Sequence, residues 1–197
     1  MKGRIKKIEA ISKKFHNVFR FTKRTAEIET EDGKKHVFDR HVLETGPAVS
    51  VLPYFFDETT KEWYAVLVKQ YRPAVDAVCL EAPGGLLEEG REKRSEMARE
   101  LKEEAGITVK PEDIELVGSH HLASSFCDQV VHLGITKLTV NNAAHEIKKQ
   151  NGLMSEQEFT EVEIVPIKKI LDQENLVTYT LAKYQVHDLA RRLNYFA

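Results

Sequence analysis

Glu100, Glu103 and Glu104 fall within one turn of a predicted helix, and Glu96 stands one turn earlier. At 100° per residue, positions 100, 103 and 104 share one side of that helix. Like charges at such spacings repel, at a cost of roughly 0.2–0.5 kcal/mol per pair. Arg99 and Lys102 offset part of this as surface ion pairs. A divalent cation offsets it better, because Mg²⁺ takes hard oxygen ligands: a few carboxylates, water and substrate phosphate. Just upstream lies Gly84-Gly85, where a chain without Cβ can approach a ligand closely and turn carbonyls toward a metal. A glycine loop feeding an acidic helix suits a metal–pyrophosphate site. A bare phosphate site would instead want helix N-terminal amides and positive charge.

These residues must be held by a mixed α and β frame. The predicted helix covers residues 92–105, with Met97, Leu101 and Ala105 recurring every four residues, Ala98 widening the stripe, and Gly106 as a C-terminal stop. Before it the chain reads mostly as strand. Phe19, Phe21, Ala26, Ile28 and Thr30 alternate with polar residues, Glu31-Asp32-Gly33 marks a turn, and Val37-Phe38 resume, so this stretch reads as a hairpin. Ala48 to Phe56 is a continuous apolar run, as expected of a buried strand, and Asp57 to Lys61 turns it into a second such strand, Trp63 to Val68. Loops are expected at Pro73 to Cys79 and Leu86 to Gly90, strands at Ile114 to Val117 and Val130 to Leu138, and a polar loop at Asn141 to Ser155. A strand at Glu161 to Ile167 precedes helices at residues 168–174 and 178–195, the second with Leu181, Tyr184, Leu189 and Leu193 on an apolar face.

The chain of 197 residues has a net charge of -2, which disfavours a nucleic-acid binder working through bulk positive charge. The balance hides an uneven distribution. Residues 1–24 carry nine bases and one acid, whereas residues 81–104 carry eight acids and five bases. No apolar run reaches membrane-spanning length, so no membrane partner is expected. Cys79 and Cys127 lack metal-ligand spacing and fit a reducing, cytoplasmic setting as small buried side chains. The P-loop, G-x-G-x-x-G, H-E-x-x-H and G-x-S-x-G motifs are absent.

Gly85, followed at the right spacing by Arg99-Glu100-Leu101-Lys102-Glu103-Glu104-Ala105-Gly106-Ile107, resembles the signature of Nudix hydrolases, G-x5-E-x7-R-E-U-x-E-E-x-G-U, with U a bulky aliphatic residue. One position departs: the first glutamate of the signature falls on Arg91. In the family that glutamate steadies the motif by pairing with the arginine, here Arg99. Glu88 and Glu92 are the sequence neighbours considered for that role, and weakened or rearranged support is the expectation. The flanking Gln70-Tyr71-Arg72-Pro73, Leu80 to Gly85, Ser124 to Gln129 and Glu156 to Phe159 are similar to ADP-ribose and nucleoside-diphosphate-sugar pyrophosphatases.

The resemblance implies a Nudix-type α/β/α sandwich with a mixed β-sheet, in the α/β (α+β) class. Residues 1–45 would form a β-rich extension used in dimerisation, and residues 46–197 the hydrolase domain. It implies Mg²⁺-dependent cleavage of a nucleoside diphosphate sugar such as ADP-ribose into a nucleoside monophosphate and a sugar phosphate, with Mn²⁺ as an alternative metal and a homodimer as the working form. Gly84, Glu100, Glu103 and Glu104 would hold metal. Arg99 would orient the carboxylates, and Arg72, Glu81 and Gly85 would contact substrate. Glu156 or Glu158, in a closing loop, would serve as general base. Alternatives are a pyrophosphatase for dinucleotides or nucleoside triphosphates, and a nucleotide-sugar-binding module without turnover.

Overall fold

A computed structural model describes residues 1–15, 18–139 and 160–196. Two compact units emerge. One comprises residues 1–48 and 119–131, the other residues 49–118 and 132–197.

The first unit is built on an antiparallel sheet in the order β1 (Lys2–Ala10), β2 (Arg20–Glu29), β3 (Lys35–Glu44). The expected hairpin is β2–β3. Glu29 faces Lys35 across the turn, and Gly33 sits at φ 77°, a backbone conformation that glycine adopts without steric cost. Segment 123–128 is tied to the end of β3. Leu43 N–H donates to Phe126 O (2.7 Å), Thr45 N–H donates to Asp128 Oδ1 (3.0 Å), and Arg24 reaches Asp128 Oδ2 at 2.6 Å. Asp128 therefore spends both oxygens on the chain itself. Cys127 is buried beside Thr45 and carries no disulfide.

The second unit centres on a seven-stranded mixed sheet. Its strands are β4 (Ala48–Asp57), β5 (Glu62–Arg72), β6 (Ala77–Glu81), β7 (Gly84–Leu86), β8 (Ile114–His121), β9 (Val130–Lys137) and β10 (Thr160–Pro166). The main path runs β10-β5-β4-β9-β8, with β6 on β5 and β7 on β4. Successive β5 residues explain why its sequence is apolar throughout. Ala65 and Leu67 join one core cluster, while Val66 and Val68 join clusters on the opposite face. A strand covered on both faces cannot alternate with polar residues.

Helix α1 (Lys93–Ala105) covers one face, packing Met97, Leu101 and Ala105 on Val49, Val51, Val68 and Ile114. Helices α2 (Ile167–Asp172) and α3 (Thr180–Arg192) supply Ile167, Ile170, Ala182, Val186, Leu189 and Ala190 to the cluster that holds Leu52, Ala65 and Leu67. The α/β/α sandwich is thus realised, with helices on both faces of the sheet.

Two local expectations change. Ala77 to Cys79, assigned to a loop, begins β6 because its backbone pairs with β5, Ala77 opposite Arg72 and Cys79 opposite Gln70. The buried face of α3 runs through Leu181, Ala182, Gln185, Val186, Leu189 and Ala190, so Tyr184 lies outside it, 41% exposed. Gln185 replaces it as a fully buried polar contact, donating to Gly134 O (3.0 Å) and Ser50 O (3.3 Å) and accepting from Ser50 Oγ (3.2 Å). The expected loop Asn141 to Ser155 lies outside the described residues.

Candidate functional site

Helix α1 is fixed at both ends by local chemistry. Glu92 is its N-cap and accepts from Ser95 N–H at 2.9 Å, which consumes this residue as a helix cap. That bond, foremost, holds the Glu92 carboxyl below its ordinary pKa. Gly106 closes the helix at φ 68°, its N–H donating to Leu101 and Lys102 carbonyls. Between these ends a second stripe runs beside the apolar one. Glu96, Glu100 and Glu104, spaced i, i+4, i+8, are 0%, 6% and 6% exposed. Glu103 is half-buried at the edge.

Three carboxylates share one cation. Arg99 donates through Nε to Glu96 Oε1 at 2.7 Å, and its two Nη groups reach Glu103 and Glu100. Burial pulls the Arg99 pKa down. Hydrogen bonds to Glu96 and Glu103 and the nearby negative charges outweigh it, so the group is held above its ordinary value. Glu104 is anchored separately, accepting from Gly84 N–H at 2.9 Å.

The two glycines are required for space within the chain. Neither has a positive φ. A Cβ on Gly84 would stand 2.3 Å from Val49 O, and one on Gly85 2.3 Å from Glu100 Oε1. Strand β7 can therefore lie against β4 on one side and receive the Glu100 carboxylate on the other.

Arg91 pairs with Glu88 at 2.6 Å and approaches the second oxygen of Glu96 at 3.6 Å. Glu88 is engaged by Arg91 and Glu92 by the helix cap. The acid that contacts Arg99 from the preceding turn is Glu96. Sequence reasoning grouped 100, 103 and 104 and left Glu96 aside. Its i, i+4, i+8 relation to Glu100 and Glu104 was the available signal.

Arg72 and Glu81 form a bidentate pair, with Nε to Oε1 at 2.8 Å and Nη2 to Oε2 at 2.9 Å. The Glu81 hydrogen bond raises the Arg72 pKa against the effect of burial. Tyr179, absent from the sequence expectations, is half-buried. Burial first, then the charge of Glu81, raises its phenol pKa, and it also feels Arg72 and Glu104. Arg72, Glu81, Tyr179 and Glu104 thus form one electrostatic neighbourhood. Glu156 and Glu158 lie outside the described residues. On β8, His120 is half-buried and His121 exposed.

Among the described residues, no group of three or more His, Cys, Asp or Glu side chains is gathered in a metal-binding arrangement. The geometry gives a reason: the Arg99 guanidinium lies between Glu100 and Glu103. The donor chemistry nevertheless suits a hard divalent ion, since Glu100, Glu103 and Glu104 offer oxygens and already converge on positive or donor groups.

The NUDIX domain model matches residues 44–184. ADP-ribose pyrophosphatase of Bacillus subtilis (strain 168) is 30% identical over 146 residues, covering 74% of this chain and 70% of that protein. Methanol dehydrogenase activator of Bacillus methanolicus is 36% identical over 78 residues, 40% of this chain and 41% of that protein. A crystal structure of an ADP compounds hydrolase shares the fold with a TM-score of 0.66 at 18% identity, over 98% of this chain and 96% of that one. The family match spans most of the chain and encloses the whole cassette from Gly85 to Ile107, and on that ground this chain belongs to the Nudix hydrolases.

Proposed function

We propose that the chain hydrolyses the pyrophosphate bond of a nucleoside diphosphate sugar such as ADP-ribose, releasing a nucleoside monophosphate and a sugar phosphate. The observation that carries this reading is the buried carboxylate stripe of α1 set against Gly84–Gly85, with Glu104 tied to the Gly84 amide. The 30% identity to an ADP-ribose pyrophosphatase points to the substrate class.

Nudix hydrolases generally use divalent metal ions. Here Glu100, Glu103, Glu104 and the Gly84 carbonyl would hold Mg²⁺ or Mn²⁺, which when bound neutralises phosphate charge and lowers the pKa of water. The protein groups do the rest. Gly84 N–H keeps Glu104 in one orientation, and Arg99 does the same for Glu100 and Glu103. Arg72 is half exposed and carries a positive charge that suits a substrate phosphate, with Glu81 behind it and Gly85 lining the approach. Water attacks one phosphorus, the bridging P–O bond breaks, and the proton passes to Glu156 or Glu158. The working form is a cytoplasmic homodimer, with residues 1–45 as the dimerisation element.

Purified protein with Mg²⁺ should release AMP from ADP-ribose, and Glu104→Gln should lower that rate by about two or more orders of magnitude, as loss of a metal ligand does. A panel of nucleoside diphosphate sugars, dinucleotides and nucleoside triphosphates fixes the class. Turnover of only the latter two, or tight binding of a sugar nucleotide without turnover, overturns the reading.

A further inference from the structure

We infer that Glu96 is the positioning residue of this site, setting Glu100 and Glu103 through Arg99, and that Arg91 is the countercharge this arrangement requires. The inference rests on reading the α1 carboxylates as metal ligands. It deepens that reading by naming what aligns them.

Four observations support it. Glu96 is fully buried, so its charge must be met inside the protein. One of its oxygens receives the Arg99 guanidinium, from Nε at 2.7 Å and Nη2 at 2.5 Å. The other oxygen is buried without a hydrogen bond, and the cation facing it is Arg91, whose Nε stands 3.6 Å away. Arg91 is in turn held by Glu88 at 2.6 Å. The charges alternate along one line: Glu88, Arg91, Glu96, Arg99, then Glu100 and Glu103. Removing one member leaves its neighbours facing an unbalanced charge.

The departure of Arg91 from the signature then has a physical meaning. An acid at position 91 would not repair this site. Glutamate oxygens lie the same number of bonds from Cα as arginine Nε. Glu at 91 would bring a second carboxylate against the bare oxygen of Glu96, where Arg91 now supplies attraction. The negative charge that Arg99 needs comes from the preceding turn of its own helix, at i−3, so position 91 is left to neutralise the far side of that charge.

Charge exchange tests this. Wild type, Glu96→Gln, Arg91→Glu and the double variant Arg91→Glu/Glu96→Gln are compared by Mn²⁺ titration calorimetry, thermal unfolding, and kcat and KM for ADP-ribose with Mg²⁺. Glu96→Gln keeps the shape and removes the charge. It should weaken Mn²⁺ binding and lower kcat by about 10–100-fold, as loss of a supporting partner does, with KM little changed. Arg91→Glu, although it restores the signature, should lose Mn²⁺ affinity and activity. The double variant removes the clash between positions 91 and 96 and should rise above Arg91→Glu to about the level of Glu96→Gln. The inference is overturned if Arg91→Glu alone binds Mn²⁺ more tightly or turns over faster than wild type. It is also overturned if Glu96→Gln matches wild type in Mn²⁺ affinity and kcat, or if the double variant is no better than Arg91→Glu. Should Glu96→Gln fail to fold, Arg91→Glu against wild type decides alone. An inactive wild type would count against the substrate reading, while the Mn²⁺ titrations would still decide the role of Glu96.

Discussion

Replacing Gly85 by Ala should disable the site and spare the fold, whereas replacing its neighbour Gly84 should cost stability first. Both residues have ordinary backbone angles, so alanine brings no φ penalty at either. The difference lies in what the new methyl meets. At position 85 it would stand 2.3 Å from Glu100 Oε1, 2.7 Å from Cδ and 3.0 Å from Oε2. Non-bonded contacts settle near 3.5 Å, so the carboxylate must retreat by roughly 1 Å. It can do so, being the end of a flexible side chain, at a cost of about 0.5–1.5 kcal/mol in off-rotamer strain. For a domain of this size that lowers Tm by only about 1–6 °C. A displacement of about 1 Å in a group that must align reacting atoms costs on the order of 100-fold in rate, or about 2.7 kcal/mol.

At position 84 the methyl would meet Val49 O at 2.3 Å and Ser50 Cα at 2.8 Å, both backbone of the buried strand β4. That strand cannot yield, because Ser50 is also pinned by Gln185. Overpacking of this kind costs about 1–3 kcal/mol, or about 2–12 °C. The assay pairs calorimetric melting with the rate of AMP release from ADP-ribose, each variant measured both ways. The reasoning is refuted if Gly85→Ala keeps the wild-type kcat, or if its Tm falls as far as that of Gly84→Ala.

Two further outcomes follow from pairings outside the carboxylate stripe. Arg72→Ala strips the bidentate partner from Glu81, whose side chain is 4% exposed; because Arg72 itself is 44% exposed, water softens the loss to about 1–2 kcal/mol by urea denaturation. Removing both partners together should cost less than removing Arg72 alone, since no buried carboxylate is then left unpaired. Glu92→Ala should cost about 0.5–1 kcal/mol at pH 7, the lower part of the N-cap range for an exposed cap. The Glu92 pKa is lowered in the folded state, so its contribution is full above its ordinary 4.5 and fades as pH falls through the lowered folded value. The stability gap between Glu92→Ala and wild type should therefore shrink in acid; a gap that is the same at pH 7 and pH 3 contradicts the capping role.

What could be read from the sequence, and what could not, divides along the kind of force involved. Burial writes itself into residue type. The apolar run Trp63 to Val68 signalled a strand covered on both faces, and its alternate residues do enter clusters on opposite sides. The stripe Met97, Leu101, Ala105 with Gly106 placed α1 to within one residue. Backbone pairing leaves a fainter trace. Ala77 and Val78 are exposed, so no hydrophobic pattern announces β6, and only the ladder to β5 makes them a strand. Pairing between charges is fainter still. Nothing in local spacing says that Arg72 and Glu81, nine residues apart, will close on each other, because adjacent strands bring them together. Tyr179 escaped notice for the same reason: its charged neighbours come from distant parts of the chain.

The acidic block at residues 81–104 shows how such pairing alters the meaning of a composition. Eight acids against five bases suggest a reservoir of repulsion awaiting a cation. In the folded chain seven of the eight have specific partners. Glu81 is met by Arg72, Glu88 by Arg91, Glu92 by the Ser95 amide, and Glu104 by the Gly84 amide. Glu96, Glu100 and Glu103 all converge on Arg99. A guanidinium thus stands among the carboxylates and balances part of their charge. A divalent ion would not relieve raw repulsion there. It would compete with Arg99 for Glu100 and Glu103, and the arginine would retain Glu96, its most deeply buried partner. Competition of that kind makes metal affinity depend on where Arg99 is held, and so on a residue that contributes no ligand.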